Sequence, residues 1–431
     1  MLNQIEQDTE LRDLKYYLIV TFIYISVFIN SYVFFTNPFE FYFGYLIYIF
    51  MLPIFISRYG FNKNLSLIFV IIFVTGLYNI VAGNNTIDLF LKVFTGLFLS
   101  YFFYYYVVVQ FNYDTEQLFK WYLKGCYLAA LIGIVQFVSF QVGFLPGYNF
   151  SWILNKWGAV PGGNFGIRVN SVFGEPTYLG AVMSSAFFVS VYNLLRRESF
   201  YLSKFQSIVI IVVYFLSFSG LGQVGMFLTL IFLAINFGLL RYFIFFIPVA
   251  WILFNFMYDN VGDFRERFDS TIDIFSTGQF KLGTTHGSSF ILYNNYRVAI
   301  ENFQSNFLFG TGVGSHPVAF SRYSLAGGFN VYGFNLNSAD ANSMLIRLIS
   351  ETGSFGVLIF IFIIVKYYVI RNHNDPTNHW LISNAILIMI LLNLFRQGHY
   401  FLNGFPFFVI LYIYTSVNHK RRRQELSEDN P

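Results

Sequence analysis

Long apolar runs separated by short polar segments recur along nearly the whole chain. A helix that crosses a bilayer needs about 20 mostly apolar residues, because each residue rises about 1.5 Å through roughly 30 Å of hydrocarbon. The seventh and eighth runs meet at residues 219–222, which either form a tight turn or interrupt one long broken helix. The pattern predicts an all-α polytopic membrane protein with about twelve transmembrane helices, at 16–35, 41–57, 65–82, 88–110, 122–144, 176–195, 206–220, 222–240, 242–258, 353–370, 381–396 and 402–417.

The composition agrees with a membrane protein. Hydrophobic residues make up 56% of the 431 residues, and charged residues only 11%. Soluble proteins average about 25% charged residues, so this composition excludes a soluble enzyme or a disordered chain. The single cysteine, Cys126, excludes an intrachain disulfide and a cysteine-based zinc or iron–sulfur site. The first apolar run is too long for a cleavable signal peptide, and no small-residue cleavage site follows it.

Positive charges predict the orientation, since cytoplasmic loops are enriched in Lys and Arg. Lys420 and the three arginines that follow it place the C-terminus in the cytoplasm. This run is typical of the flank of a last span, and we expect no nucleic-acid partner. With an even number of spans, both termini are predicted to be cytoplasmic.

Two long segments then fall on the outer side, from about Leu145 to Glu175 and from about Asp259 to Glu351. Long connections of this kind tend to be functional. We expect short helices in them, for instance in the amphipathic stretch from Tyr293 to Phe309. The chain is therefore divided into residues 1–258 with nine spans, 259–352 as a large outer region, and 353–431 with three spans and a basic tail.

The first outer segment contains a candidate site between Arg168 and Gly180. Pro176 suits the first turn of a helix, where its missing N–H costs nothing. That helix start, marked by Glu175, would direct free amides outward, which suits a phosphate or sugar oxygen. The alternative is that Arg168 only contacts lipid phosphates.

The second outer segment contains two arginines, each followed four residues later by a glutamate. Arg297 precedes Glu301, and Arg347 precedes Glu351 at the outer end of the tenth span. Residues four apart on a helix can form an ion pair, so a structural role stays open for both arginines. An ionisable group near membrane depth is otherwise a functional candidate. Between them, three glycines at 310, 312 and 314 allow a tight turn, which by itself is weak support for a phosphate site.

The six histidines form no HxxxH or HExxH pattern, so we predict no catalytic metal. His316, before a proline, is either a proton carrier or a turn residue.

Three stretches resemble a known family. The segment from Arg168 through Asn-Ser-Val-Phe-Gly-Glu-Pro-Thr-Tyr-Leu-Gly180 resembles the arginine segment before a middle span of Wzy-type O-antigen and capsule polymerases. Arg297, together with the later string Phe307-Leu-Phe-Gly-Thr-Gly-Val-Gly314, resembles the arginine-plus-FGxGxG segment of the wider O-antigen polymerase and ligase superfamily. Ala341-Asn342 followed by Glu-Thr-Gly-Ser-Phe-Gly356 is similar to its HN…ExGxxG segment.

The resemblance implies an inverting, metal-independent glycosyltransferase with a GT-C-like membrane fold in the bacterial inner membrane, and no cofactor. Its donor and acceptor would be oligosaccharides on undecaprenyl diphosphate in the lipid bilayer, with a chain-length regulator and a flippase as candidate partners. In the ligases of this superfamily, which transfer glycan to lipid A–core, the HN histidine is a proposed catalytic residue. Ala341 takes that place here, which favours a polymerase over a ligase. A transporter or flippase for lipid-linked glycans stays an alternative.

A polymerase of this kind must stabilise a lipid diphosphate leaving group, and arginines bind phosphate oxygens through two parallel hydrogen bonds. We expect Arg168 and Arg297 to hold the diphosphate, with Arg347 as a third contact. Glu175 and Asp340 are the candidate proton acceptors for the sugar hydroxyl. The hypothesis requires Arg168 and Arg297 to meet in one cavity at the outer face.

Overall fold

The computed structural model describes residues 16–36, 39–239, 247–248, 251–252, 254–255, 258–259, 262–279, 285–326, 336–372 and 377–428. The first half of the chain is mostly helical. Its elements are α1 (Tyr16–Phe28), α2 (Phe43–Tyr59), α3 (Lys63–Val81), α4 (Ile87–Gln110), α5 (Thr115–Gln141), α6 (Leu145–Tyr148), β1 (Val160–Pro161), β2 (Ile167–Arg168), α7 (Pro176–Val182), α8 (Ser184–Arg196), α9 (Lys204–Leu216) and α10 (Gly220–Asn236).

The second half is also helical. It contains α11 (Gly262–Thr277), α12 (Gly287–Ser305), α13 (His316–Tyr323), α14 (Met344–Lys366), α15 (His379–Arg396), a 3-10 turn (Leu402–Gly404) and α16 (Phe405–Glu428). The predicted all-α class is confirmed except for the two-residue antiparallel pair β1–β2, in which Val160 pairs with Arg168.

Within the described residues, five helices are long and apolar enough to cross a membrane: α3, α4, α5, α14 and α15. A sixth is added if α7 and α8, which bend by 56° at Met183, form one broken span. Helices α1, α2, α9 and α10 are apolar but shorter. The predicted ninth span, 242–258, lies largely outside the described residues, and the total of twelve stays a prediction.

A break at residues 217–219, just before the predicted position, separates α9 from α10. Helix α9 ends at Leu216, and Ser219 caps the start of α10 by accepting a hydrogen bond from the Gly222 amide at 3.2 Å. Serine is a favoured N-cap because its oxygen satisfies one of the unpaired first-turn amides. Residues 220–222 thus belong to the first turn of α10, and the two apolar runs form separate helices.

Helix α15 lies at the centre of the bundle and α3 at its edge. The buried share of the apolar stretch is 78% in α15 and 17% in α3. Helix α15 packs on α8, α10, α14 and α16. Side chains such as Leu67, Val70 and Val74 of α3 are more than half exposed, which suits a surface in contact with lipid.

The three glycines after α12 serve a close backbone approach. Gly310 has a φ of +62°, and a Cβ there would lie 2.5 Å from the carbonyl oxygen of Glu351. The Gly312 amide donates to that same carbonyl at 2.8 Å. Gly353, which has non-helical backbone inside α14, faces Gly310 across this contact. The glycine segment therefore packs on the break in α14, and its glycines explain that contact without a bound phosphate.

A helix is also confirmed over most of Tyr293–Phe309, since α12 covers Gly287–Ser305.

Candidate functional site

A cavity of about 610 Å³ opens where the two segments that are predicted to lie outside meet the ends of α7, α10 and α15. Its charged lining residues come from three distant parts of the chain: Arg168, Glu175, Asp340 and Arg396. Neutral polar side chains complete much of the wall: Thr177, Thr271, Ser288, Ser289, Asn337, Asn342 and Gln397. This volume is within the range of about 300–1,000 Å³ that is typical of small-molecule sites.

Arg168 reaches the cavity because of its position in β2. Its neighbours Ile167 and Val169 are buried, with 1% and 0% exposure. Successive side chains of an extended strand point to opposite faces, so burial of the two neighbours turns Arg168 the other way. Val169 is held in turn by its amide, which donates to Leu216 O at 3.0 Å.

The residues after Arg168 anchor the segment to α5. Asn170 and Ser171 are fully buried. Gln136 of α5 donates from Nε2 to Asn170 Oδ1 at 2.8 Å and accepts from the Ser171 amide at 2.8 Å. The Asn-Ser pair of the motif is therefore structural, and it fixes the backbone between Arg168 and Glu175.

Glu175 lies at the helix start that the sequence predicts. It has extended backbone, and α7 begins at Pro176. Its carboxylate is exposed and accepts a hydrogen bond from Thr177 Oγ1 at 2.8 Å. Glu175 thus presents an accessible carboxylate on the cavity wall.

Asp340 lies in a strained turn. Leu336, Asn337, Ala341 and Asn342 all have φ values between +53° and +58°. Such left-handed backbone is uncommon outside glycine and often accompanies functional sites. Asp340 Oδ1 accepts from the Asn342 amide at 3.0 Å, and Oδ2 lies 3.0 Å from His399 Nε2.

The charge state of Asp340 follows from these neighbours. Burial alone would raise the pKa of this carboxyl group. The hydrogen bond from His399, and its positive charge when the ring is protonated, outweigh that effect, helped by the Asn342 amide and by Arg347, so the pKa lies below its usual range. Asp340 therefore stays ionised at neutral pH.

Arg396 is the last residue of α15, and it brings a second positive charge to the cavity. A cation is favoured at this end of a helix, where the unpaired carbonyl groups carry partial negative charge. Arg168 and Arg396 are both half-buried. Among the described residues they are the two arginines that line the cavity.

Arg347 does not line the cavity. Its Nε donates to Glu351 Oε1 at 2.9 Å, its Nη1 donates to Gly398 O at 2.9 Å, and its guanidinium lies 4.5 Å from the centre of the Tyr400 ring. Its side chain is 4% exposed. The position of Arg347 thus matches the structural alternative, an ion pair with Glu351. It does not match a direct contact between Arg347 and a diphosphate.

Arg297 does not line the cavity either. It lies on α12 with its side chain 43% exposed, 4.0 Å from Glu301 Oε1. The expected convergence of Arg168 and Arg297 is therefore not observed. Of the five residues predicted for the site, the structure brings together Arg168, Glu175 and Asp340.

His316 is neither accessible nor charged. It is fully buried, and Nε2 lies 3.0 Å from Asn295 Oδ1. Burial lowers its pKa to about 3, the positive charge of Arg347 acts in the same direction, and Asp340 opposes both. This position favours the structural interpretation over the proton carrier.

Sequence reasoning missed Arg396, which lines the cavity, and His399, which contacts Asp340. The available signal was the polar string Arg396-Gln-Gly-His399 directly after an apolar run, at the outer end of a predicted span. In the described part of the chain, no group of three or more His, Cys, Asp or Glu side chains is arranged to hold a metal ion.

The sequence matches no protein-family model and no curated protein. Functional arguments therefore depend on the residues of the cavity itself.

Proposed function

We propose that the protein is a polysaccharide polymerase, an inverting and metal-independent glycosyltransferase. It would join oligosaccharide units linked to undecaprenyl diphosphate at the outer face of the bacterial inner membrane. The proposal includes twelve spans, a GT-C-like arrangement and cytoplasmic termini. The observation that carries it is one cavity combining two arginines, two carboxylates and a wall of neutral polar groups.

The arginines match the leaving group of such a reaction. A lipid diphosphate gains negative charge as its bond to the sugar breaks, and guanidinium groups bind phosphate oxygens through paired hydrogen bonds. A positioned donor of this kind contributes roughly 3–4 kcal/mol to transition-state stabilisation. Arg168 and Arg396 take this role in the proposal, so Arg396 replaces Arg297 of the sequence hypothesis.

The rest of the wall matches a sugar. Hydroxyl and amide side chains such as Thr177, Ser288, Asn337 and Gln397 can both donate and accept hydrogen bonds, as sugar hydroxyl groups do. Glu175 and Asp340 supply carboxylates near them, and a proton must leave the attacking hydroxyl in any transfer. Phosphate-binding cations and sugar-binding groups therefore lie within one volume.

The test is reconstitution of the purified full-length protein in liposomes. The substrate is the lipid-linked repeat unit, extracted from the host bacterium lacking this gene, with no other enzyme added. A ladder of polymer lengths is expected from the wild-type protein. A transporter would move the substrate without lengthening it, and a ligase would need lipid A–core as acceptor.

Three arginine variants sharpen the assay. Arg168→Ala and Arg396→Ala should leave mostly single repeat units on the lipid, because each removes a cation from the cavity. Arg297→Ala is the matched control and should give a normal ladder, since that side chain lies outside the cavity. No ladder from the wild type, or a full ladder from Arg168→Ala, would contradict the proposed function.

A further inference from the structure

A histidine and an aspartate from distant segments meet at the cavity wall. His399 follows α15, whereas Asp340 precedes α14. His399 Nε2 lies 3.0 Å from Asp340 Oδ2, and the two side chains are 25% and 14% exposed. Asp340 lines the cavity, and so do Gln397 and Gly398, which immediately precede His399. The His399 ring is thus partly exposed, and it contacts Asp340, a residue of the cavity wall.

The residues on both sides of His399 are held by one buried ion pair. Arg347 donates to the carbonyl of Gly398 at 2.9 Å. Tyr400 donates its hydroxyl hydrogen to Glu351 Oε2 at 3.0 Å. Because Arg347 and Glu351 are themselves paired and buried, the backbone that carries His399 is fixed on both sides.

The same segment approaches Asp340 more closely than any side chain would permit. A Cβ added at Gly398 would lie 1.7 Å from the carbonyl oxygen of Asp340 and 2.8 Å from its Cβ. Only glycine has no Cβ, so the approach of the His399 segment to Asp340 depends on Gly398. Three features thus hold His399 against Asp340: the Arg347–Gly398 hydrogen bond, the Tyr400–Glu351 hydrogen bond and the missing Cβ of Gly398.

The charged surroundings of His399 come from several elements. Asp340 contacts the ring, and Arg347 interacts electrostatically with the Asp340 carboxylate and lowers the pKa of that group. Glu40, from the segment before α2, interacts electrostatically with His399 while paired to Lys156. Both oxygens of Asp340 are already engaged, Oδ1 by the Asn342 amide and Oδ2 by His399 Nε2, so Asp340 suits an orienting role. An imidazole in its neutral form can accept a proton from a substrate.

We propose that His399 is the proton acceptor of the glycan transfer and that Asp340 orients its ring; this inference rests on the proposed function. The acceptor hydroxyl oxygen attacks the anomeric carbon of the donor and forms the new carbon–oxygen bond. The bond from that carbon to the diphosphate oxygen breaks, and its electron pair leaves with the diphosphate. The hydroxyl proton passes to Nδ1 of the neutral imidazole, whose Nε2 faces Asp340, and is later released to water.

The closing experiment measures kcat and KM in the liposome assay. His399→Gln keeps an amide that can donate to Asp340 but provides no basic nitrogen. We expect its kcat to fall about 100-fold, the usual size of a general-base contribution, while KM for the lipid-linked donor changes less than about threefold. His379→Gln, at the opposite end of α15, is the matched control and should keep the wild-type kcat.

A second variant distinguishes the loss of a proton acceptor from a loss of activity caused by structural damage. His399→Ala should recover activity when imidazole is added to the buffer, because free imidazole can occupy the space and accept the proton. Imidazole should not raise the activity of Arg168→Ala, which lacks a phosphate contact instead. Glu175→Gln should show no rescue.

The possible failures can be told apart. No ladder from the wild-type protein overturns both proposals. A wild-type ladder, with His399→Gln at a kcat within threefold of wild type, overturns the role of His399 alone. A larger kcat loss in Glu175→Gln than in His399→Gln, without imidazole rescue of His399→Ala, would assign the proton to Glu175 instead.

Discussion

Arg347 and Glu351 form a buried ion pair across one turn of α14, with Nε 2.9 Å from Oε1 and side chains 4% and 0% exposed. Removing one partner leaves the other charge buried without compensation, which typically costs about 3–5 kcal/mol. We therefore expect Glu351→Gln to lower the free energy of unfolding by about that much. Thermal unfolding of the protein in mild detergent would measure it.

The chain provides its own control for this prediction. Arg297 and Glu301 have the same spacing, but lie 4.0 Å apart with side chains each 43% exposed. An exposed pair contributes about 0–1 kcal/mol, so Glu301→Gln should leave stability nearly unchanged. Equal effects of the two substitutions would show that burial does not distinguish the pairs.

Gly398→Ala should disrupt the contact between the His399 segment and Asp340. The added methyl group would meet a backbone oxygen at 1.7 Å, so the backbone itself must move. Overpacking of this kind costs about 1–3 kcal/mol, and we expect a lower melting temperature together with a weaker polymer ladder. At Gly158, by contrast, a Cβ meets nothing within 4 Å, and Gly158→Ala should behave as wild type. A fully active and stable Gly398→Ala protein would mean that the two segments are not in close contact.

His316 should make the protein less stable in mild acid. Its pKa is about 3 when folded, against about 6.5 for an exposed histidine. Between these values the unfolded chain binds a proton that the folded chain does not, so stability falls as the pH falls. From pH 7 to pH 5 this group should cost about 2 kcal/mol, which follows from about 1.4 kcal/mol per pKa unit.

The measurement compares the wild type with His316→Gln in unfolding experiments at both pH values. The variant lacks the titrating group, so it should lose about 2 kcal/mol less than the wild type over this interval. Identical losses would indicate that His316 can be protonated in the folded protein.

The proposed orientation can be tested with the cysteine chemistry of the chain. Cys126 is fully buried, so a membrane-impermeant maleimide should not label the intact wild-type protein. Ser151→Cys and Gln424→Cys add exposed thiols in the first outer segment and in the basic tail, respectively. In intact cells stripped of their outer barrier, Ser151→Cys should react, and Gln424→Cys only after the membrane is opened. The reverse pattern would place the cavity on the cytoplasmic side.

Several features of the site were predictable because they are local. The helix start at Pro176 follows from the fixed backbone of proline, and the separation of α9 from α10 follows from Ser219 and the glycines after it. The possible ion pairs at Arg297 and Arg347 follow from the helical repeat. Glu175 and Asp340 were also recognised, and both line the cavity.

The same reasoning did not separate Arg297 from Arg347 or find Arg396. Both predicted arginines have a glutamate four residues later, yet one pair is half-exposed and the other is buried beneath the His399 segment. That difference depends on what packs against each helix. Arg396 lines the cavity and His399 contacts Asp340 because α15 lies at the centre of the bundle and its C-terminal end meets the turn at Asp340.

A helical chain with several helices apolar enough to cross a membrane was predictable from the residues alone, because apolar runs and helix signals act over neighbouring residues. Which charged groups share a cavity depends instead on how the helices and loops pack. Arg168, Asp340 and Arg396 are far apart along the chain, and their meeting depends on buried contacts such as Gln136 with Asn170 and Arg347 with Gly398. Those contacts join distant segments through packing, which no local pattern of residues specifies.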